Sequence, residues 1–290
     1  MQQLKLGEKS FQAVNVLLLV LFSIVMLLPL LSVAATSISS GLAVDRGEVQ
    51  FWPVNVTLAS WEQILSQKSL WLSMLVNTAA TVIGTFICMV VSSLTAYPLS
   101  KSEFKPAKFI ILLVVFAMIF KAPIIPYFLT LKSYGLYNSF WALVIPHTIV
   151  AYNLIILLTF FKQVPKELEE AGKIEGCGYF QTLFRIVLPI SMPALVTVGL
   201  FYAVMIWNQF MHPIMFIDNP HLYPLQMKLR ELITVTDLTS LASTFQDRTL
   251  INERTLRSAT VLFAAIPILL VYPFLQKHFV KGAMLGSLKE

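Results

Sequence analysis

The sequence has little charge and almost no cysteine. Only 12% of its 290 residues are Asp, Glu, Lys or Arg, about half the share in soluble proteins, and 57% are hydrophobic. This composition excludes an ordinary soluble domain with one core and indicates a polytopic membrane protein. The two cysteines, Cys88 and Cys177, lie in an apolar run and in a polar loop, a placement that predicts neither a disulfide nor a metal site.

The sequence also lacks the common catalytic motifs. No GxSxG or HExxH segment occurs, and Gly172-Lys173 is followed by Ile174, where a nucleotide-binding P-loop needs Ser or Thr. The four histidines are scattered, and we interpret each as a local hydrogen-bonding residue. We therefore predict no catalytic residue, no metal site and no cofactor in this chain. The net charge of +6 is modest, and because Lys and Arg mainly set the orientation of a membrane chain, no nucleic-acid partner is expected.

Six apolar runs are long enough to cross about 30 Å of hydrocarbon. They cover residues 14–35, 71–99, 109–131, 139–161, 190–217 and 258–275. The sequence thus predicts an all-α, polytopic membrane protein with six transmembrane helices in a single transmembrane domain, residues 1–290. Twelve of the 21 Lys and Arg residues lie at the N-terminus, in the second-to-third loop, in the fourth-to-fifth loop and in the C-terminal tail. The positive-inside rule places these segments, and hence both termini, in the cytoplasm.

The fourth-to-fifth loop, residues 162–190, is the most polar stretch between two long apolar runs. Pro165 suits the first turn of a helix, and the glutamates that follow it are favoured by the helix dipole. Gly176 and Gly178 predict the end of this helix, because glycine adopts the left-handed conformation that a helix stop needs. A second short helix is predicted over residues 180–187. The predicted unit is helix, tight glycine turn, helix, lying flat against a surface rather than crossing a bilayer.

This loop resembles the EAA loop of ABC importer permeases, with the pattern Glu-Ala-Ala, three residues, Gly, nine residues, Ile, one residue, Leu-Pro. The residues in register are Glu170, Ala171, Gly176, Ile186, Leu188 and Pro189. Gly172 stands where the family usually has a second Ala, so that position stays small. The resemblance implies a type I ABC importer permease fold and gives these seven residues a role in coupling to an ATPase. An ordinary amphipathic connector between two spans is the alternative interpretation.

The resemblance continues toward the C-terminus. WNQFMHP, which begins at Trp207, is similar to the fifth-span signature of carbohydrate importer permeases, Trp-Asn-acid-Phe-x-x-Pro, with Gln209 in place of the acid. YPLQMKLRE, residues 223–231, and YPFLQKHFVK, residues 272–281, are similar to the MalG/LplC-like branch. That branch serves oligosaccharides and includes the permease of the alginate importer. The chain therefore resembles the permease subunits of carbohydrate-uptake ABC importers.

The resemblance implies an importer built from several subunits. This chain and a second homologous permease would enclose the pathway, with membrane lipid around them. Two cytoplasmic ATPase subunits would bind ATP and Mg²⁺, and an external solute-binding protein would deliver the solute. Each ATPase would hold one EAA helix in a groove, with Glu170 facing basic groups and Ala171, Gly172 and Gly176 allowing close approach. The expected location is the bacterial cytoplasmic (inner) membrane.

Candidate residues of the substrate pathway lie in predicted spans three to five. They are Lys121, Asn153, Tyr202, Trp207, Asn208 and Gln209. Lys121 has two interpretations: a cavity-lining cation that balances an anionic substrate, such as a uronate oligosaccharide, or a side chain that snorkels where Pro123 breaks the span. Trp207 and Asn208 also have two interpretations: they contact the sugar, or they pack near the outer interface.

Two other functional classes stay open. A secondary transporter or channel driven by an ion gradient would want paired carboxylates within the membrane, and every Asp and Glu of this chain lies in a loop or terminus. A scaffold that only recruits a cytoplasmic protein would not need the proline breaks and polar residues found within several spans. The sequence favours an ATP-driven importer permease over both classes.

Overall fold

The computed structural model describes the backbone of residues 6–234 and 250–287, and the side chains of residues 11–231 and 250–270. Within these ranges the regular structure is helical and no strand forms, which confirms the predicted all-α class. The chain divides into two compact units, each made of two chain segments. They are Met1–Leu70 with Leu229–Pro267, and Trp71–Lys228 with Ile268–Glu290.

The first unit contains a long apolar helix and a polar network. Helix α1 (Leu6–Ser37) is followed by the short helices α2 (Gly41–Asp45) and α3 (Ala59–Ser66). The Asn252 amide donates to the Gly41 carbonyl at 2.9 Å and to the Asp45 carboxylate at 2.8 Å. These bonds fix the loop after α1 against the start of the final helix, α14, which runs over Glu253–Ser287.

The second unit is organised around helix α4 (Lys68–Ser100), which extends 33 residues and begins three residues before the unit. The remaining helices of this unit's first segment follow in chain order. They are α5 (Ala107–Ile119), α6 (Ile124–Ser133), α7 (Ala151–Lys162), α8 (Lys166–Ile174), α9 (Tyr179–Thr182), α10 (Leu188–Ile190), α11 (Met192–Trp207) and α12 (Met211–Phe216), with α13 (Leu225–Thr234) running on into the first unit. Helices α4, α7 and α11 share one apolar core, in which Leu157, Phe161 and Ile206 are fully or almost fully buried.

Small residues let α4 and α11 approach closely. A Cβ atom on Gly84 of α4 would lie 2.8 Å from Cδ1 of Ile206 on α11, closer than two carbon atoms can pack. Hydrogen bonds reinforce this contact, since the Asn77 amide donates to the Trp207 carbonyl at 3.4 Å. The pairing matches the preference of membrane helices for small interface residues with polar bonds across them.

The third predicted run, residues 109–131, does not form one continuous helix. Helices α5 and α6 are bent by 120° at the break between them. Pro123 immediately precedes α6 in an extended conformation, where its lack of an N–H group costs no helical hydrogen bond. The segment is therefore a broken span or a re-entrant loop rather than a straight crossing.

Two further predicted runs also bend. The fourth begins with two 3₁₀ turns, Phe140–Leu143 and Ile145–His147, set at 48° to α7. The helical stretch Tyr179–Ile190 is bent by 86° relative to α11. By length and composition, α4 and the Phe11–Ser37 part of α1 can each cross a membrane, and the three bent pairs raise that number to five among the described residues. The predicted count of six stays a prediction, because α14 beyond residue 270 lies outside the described side chains.

Candidate coupling site and substrate pathway

The polar loop folds as a helix, a glycine turn and a second helix. Helix α8 begins directly after Pro165, and Gly176 has a φ of +84°. The Gly176 N–H donates to the Lys173 carbonyl at 3.0 Å, closing the turn. The predicted first helix and its glycine stop are therefore confirmed.

The second helix is less regular than the prediction over residues 180–187. Helix α9 passes into a π-helical turn at Leu183–Val187 and then into α10. A π turn adds one residue to the helical repeat, so Pro189, at the second position of α10, need not break an α-helical bond. The helix is present as predicted, and its interior geometry differs.

Gly172 explains how the two short helices pack. Gly172 is buried, and a Cβ atom placed on it would lie 2.7 Å from Cδ1 of Ile186. The Cys177 N–H also donates to the Gly172 carbonyl at 2.9 Å. Two of the seven predicted coupling residues, Gly172 and Ile186, thus meet inside the loop and hold its shape.

Part of the loop surface is exposed and carries both charged and apolar side chains. Glu170 and Ala171 point to solvent. The loop also exposes large apolar side chains, namely Ile174, Tyr179, Phe180 and Phe184. An exposed apolar surface beside charged residues is the usual mark of a protein–protein contact. This face is the part of the loop that a partner could bind.

An ion pair that was not predicted from the sequence connects α8 to the end of α4. Glu169 is buried on α8, and both of its carboxylate oxygens accept hydrogen bonds from Nζ of Lys101, which follows α4 directly. The Lys101 ammonium also lies 4.4 Å from the centre of the Tyr97 ring. The i, i+3 spacing of Glu169 and Gly172 puts both on one face of α8, but nothing in the sequence pairs Glu169 with Lys101.

The predicted pathway residues in the helix interiors are buried within this chain. Tyr202 of α11 is fully buried, and its hydroxyl is hydrogen-bonded to Ser92 at 2.7 Å and accepts from the Val150 N–H at 3.2 Å. Asn153 of α7 is 3% exposed. In the chain as it stands, Tyr202 connects α4, α7 and α11 rather than facing an open surface.

The WNQ segment at the end of α11 has three different environments. Trp207 is buried, whereas Asn208 is exposed and its amide donates to the Val204 carbonyl at 2.9 Å, ending the helix. Gln209 is buried and donates to the Leu143 carbonyl at 3.3 Å. Lys121 lies apart from all three in chain position, exposed in the break between α5 and α6.

Two of the histidines that are scattered along the sequence lie together in the structure. The rings of His147 and His212 have centroids 4.9 Å apart, and His212 Nε2 is 2.9 Å from the Tyr127 hydroxyl. The Gln209 side chain lies beside His147. Within the part of the chain that the structure describes, His147 Nε2, His212 Nδ1 and Gln209 Oε1 are buried without a hydrogen-bond partner. Nothing in the sequence spacing indicated this cluster, since its members come from three separate segments.

A compact turn follows α6. Asn138 has a positive φ of 54°, and its side-chain oxygen accepts from the N–H groups of Asp218 at 3.1 Å and Asn219 at 2.8 Å. The Tyr137 hydroxyl donates to the Asp218 carboxylate, a hydrogen bond that raises the pKa of Tyr137. The turn thereby fixes the chain that leaves α12.

Comparison with known proteins identifies the family. Residues 4–284 match the family described as "Binding-protein-dependent transport system inner membrane component". The chain is 41% identical over 276 residues to the polygalacturonan/rhamnogalacturonan transport system permease protein YtcP of Bacillus subtilis, covering 93% of this chain and 95% of that protein. It is 38% identical over 281 residues to Protein LplC of Bacillus subtilis, covering 97% and 95%.

A solved structure is also similar along the whole chain. It comes from a bacterial ABC transporter involved in the import of the acidic polysaccharide alginate, with a TM-score of 0.89 and 27% identity, covering 96% of this chain and 100% of the other. This likeness confirms the expected type I ABC importer permease fold. The chain belongs to the binding-protein-dependent inner membrane transport components, which are permease subunits of ABC importers and not enzymes.

Proposed function

We propose that this chain is a permease subunit of an ATP-driven importer that takes up an acidic, uronate-containing oligosaccharide. The observation that carries the proposal is the exposed helix–turn–helix of α8 to α10 in a chain of this family. A permease without a nucleotide site needs a surface through which another subunit acts on it. The exposed face around Glu170 and Ala171 is suited to that contact.

The proposed assembly follows from this surface. A second homologous permease completes the pathway, two ATPase subunits bind ATP and Mg²⁺, and a solute-binding protein delivers the oligosaccharide from outside. Both termini of this chain and the loop of residues 162–190 face the cytoplasm. ATP binding draws the two ATPases together, and it shifts the permease only through contacts that differ between the two states. Glu170, Ala171 and Gly176 supply such contacts, while Leu188 and Pro189 pass the movement to α11.

Two kinds of observation support an acidic substrate. The relatives include a permease for polygalacturonan and rhamnogalacturonan, whose names denote uronate-containing polymers, and a permease from an importer of the acidic polysaccharide alginate. In addition, Gln209 replaces the acid of the carbohydrate-permease signature beside Trp207. A neutral side chain there removes a negative charge that would repel a uronate. Lys121, exposed at the break between α5 and α6, is the cation we assign to the substrate carboxylates. Of the other predicted pathway residues, Asn153, Tyr202 and Trp207 are buried within this chain and Asn208 is exposed.

An ion-driven secondary transporter has less support. Such a transporter would want paired carboxylates within its spans, and no Asp or Glu lies within described helices α5, α6, α7, α11 or α12. ATP dependence separates the two classes. Uptake by the assembled complex that continued without ATP but followed a proton or sodium gradient would overturn the importer proposal.

The substrate proposal is tested with the assembled complex in lipid vesicles. Uptake of matched neutral and uronate oligosaccharides is measured with ATP inside and the binding protein outside. Lys121→Gln should lower uronate uptake about fivefold or more, the lower end of typical coupling energies, and leave neutral uptake unchanged. Lys132→Gln is the matched control, because Lys132 already lies over the Phe128 and Tyr137 rings. If Lys121→Gln takes up each of the two sugars as well as the wild type does, Lys121 does not belong to the pathway.

A further inference from the structure

We propose that Lys101 and Glu169 form a tether that fixes helix α8 to the end of α4, so that α4 moves together with the coupling loop. This inference rests on the proposed function and adds to it a pair of positioning residues outside the seven that resemble the EAA pattern. The role proposed for them needs no contact with the ATPase, because each side chain is bonded to the other within this chain.

Lys101 lies directly after the 33-residue helix α4, and its N–H donates to the Pro98 carbonyl at 3.1 Å. A bond to its ammonium group therefore connects to the chain at the end of α4. Glu169 lies in the middle of α8, the nine-residue helix that carries Glu170 and Ala171 on its exposed face.

The ion pair is largely shielded from water. The side chains of Lys101 and Glu169 are 20% and 12% exposed, and the ammonium group is further held above the Tyr97 ring. Removing one member of a buried pair leaves a charge without compensation, which is costly. The contact to both oxygens is largely shielded from water, so it holds the two ends together more firmly than an exposed surface pair does.

Two ion pairs join α8 to the end of α4 and the loop after it, and the pair of Lys101 and Glu169 is the less exposed of them. Helix α8 is joined covalently to α7 through residues 163–165, and to α9 through the turn at Gly176. A second ion pair to the loop after α4, Lys173 to Glu103, is longer at 3.7 Å, and its side chains are 49% and 71% exposed. Exposed pairs contribute little, so the pair of Lys101 and Glu169 is the stronger of these two ion-pair connections.

The test measures how many oligosaccharides enter per ATP hydrolysed by the complete complex in lipid vesicles. Lys101→Met and Glu169→Gln should each lower this ratio about fivefold or more, the lower end of typical coupling energies. The ATPase should still co-purify, because the exposed face is intact. Lys101→Arg should keep the ratio, since a guanidinium can donate to both carboxylate oxygens. Glu103→Gln, which breaks the exposed pair two residues away, should change the ratio less than about twofold.

The exchanged pair Lys101→Glu with Glu169→Lys decides the outcome if a single variant fails to assemble. Recovery of assembly and of part of the ratio supports the tether, because the exchange restores the pairing and nothing else. An exchanged complex that assembles but stays uncoupled, or that fails to assemble, overturns it, as does a normal ratio in both single variants. A wild-type complex that imports without ATP would instead refute the proposed function, so the two failures are distinguishable.

Discussion

Gly176 offers the sharpest test of the coupling loop, because a side chain added there changes the backbone energy without meeting another atom of the chain. Its φ of +84° lies in the left-handed region, and a Cβ atom added there would meet nothing within 4 Å. Any strain that a substitution causes within this chain must therefore come from the backbone and not from a clash. An L-residue in this conformation costs about 1–2 kcal/mol, which corresponds to about a 5- to 30-fold shift in the equilibrium between the native turn and other conformations.

Three substitutions at Gly176 should rank by this cost. Gly176→Asn should be mild, because Asn adopts the left-handed region more readily than other L-residues. Gly176→Ala should reduce coupled transport by a factor within the 5- to 30-fold range just given. Gly176→Pro should abolish it, since proline fixes φ near −65° and removes the N–H group that donates to the Lys173 carbonyl at 3.0 Å. Membrane insertion should stay normal in all three, because the turn lies between the apolar runs.

The assay compares uptake and ATP hydrolysis by the reconstituted complex, with insertion checked by membrane fractionation. Gly178→Ala is the matched control. Gly178 lies two residues further on, has a φ of −74° and also has open space around its Cα, so Ala causes no strain there. Normal coupled uptake by Gly176→Pro, or an equal loss in Gly178→Ala, would refute the reasoning that the left-handed turn positions α8.

Three further changes test the scaffold that supports the loop. Gly84→Leu should lower stability by about 1–3 kcal/mol through overpacking against Ile206, seen as a lower unfolding temperature in detergent, whereas Gly84→Ala should cost less. Tyr202→Phe should destabilise the protein by about 1–3 kcal/mol by leaving Ser92 without its partner, and it should leave the preference between neutral and uronate oligosaccharides unchanged in uptake assays. Asn138→Ala should cost a similar amount, measured by thermal unfolding, because it removes two hydrogen bonds and a residue suited to positive φ.

The parts of the fold that the sequence predicted well are those specified locally. The glycine stop of α8 needs only Gly176 and the helix before it, and α4 needs only a long apolar stretch. Both depend on interactions within a few residues, which propensity and periodicity describe. The same reasoning predicted a break near Pro123 but not its 120° angle, because the angle depends on what α6 packs against.

The parts that the sequence did not reveal depend on contacts between distant segments. Lys101 and Glu169 are 68 residues apart in the chain, and one of them was interpreted only as a helix-dipole glutamate. His147 and His212 come from a 3₁₀ turn and from α12, so neither spacing nor periodicity could pair them. Long-range pairing of polar side chains follows from how helices pack, which composition does not specify.

The packing of the second unit indicates where movement can occur. Helices α4 and α11 are held together by the close approach at Gly84 and by the bond between Ser92 and Tyr202, whose hydroxyl also accepts from the start of α7. Close-packed helices do not bend continuously, so a push on α8 that reaches α4 through the tether and α11 through α10 moves them as one body.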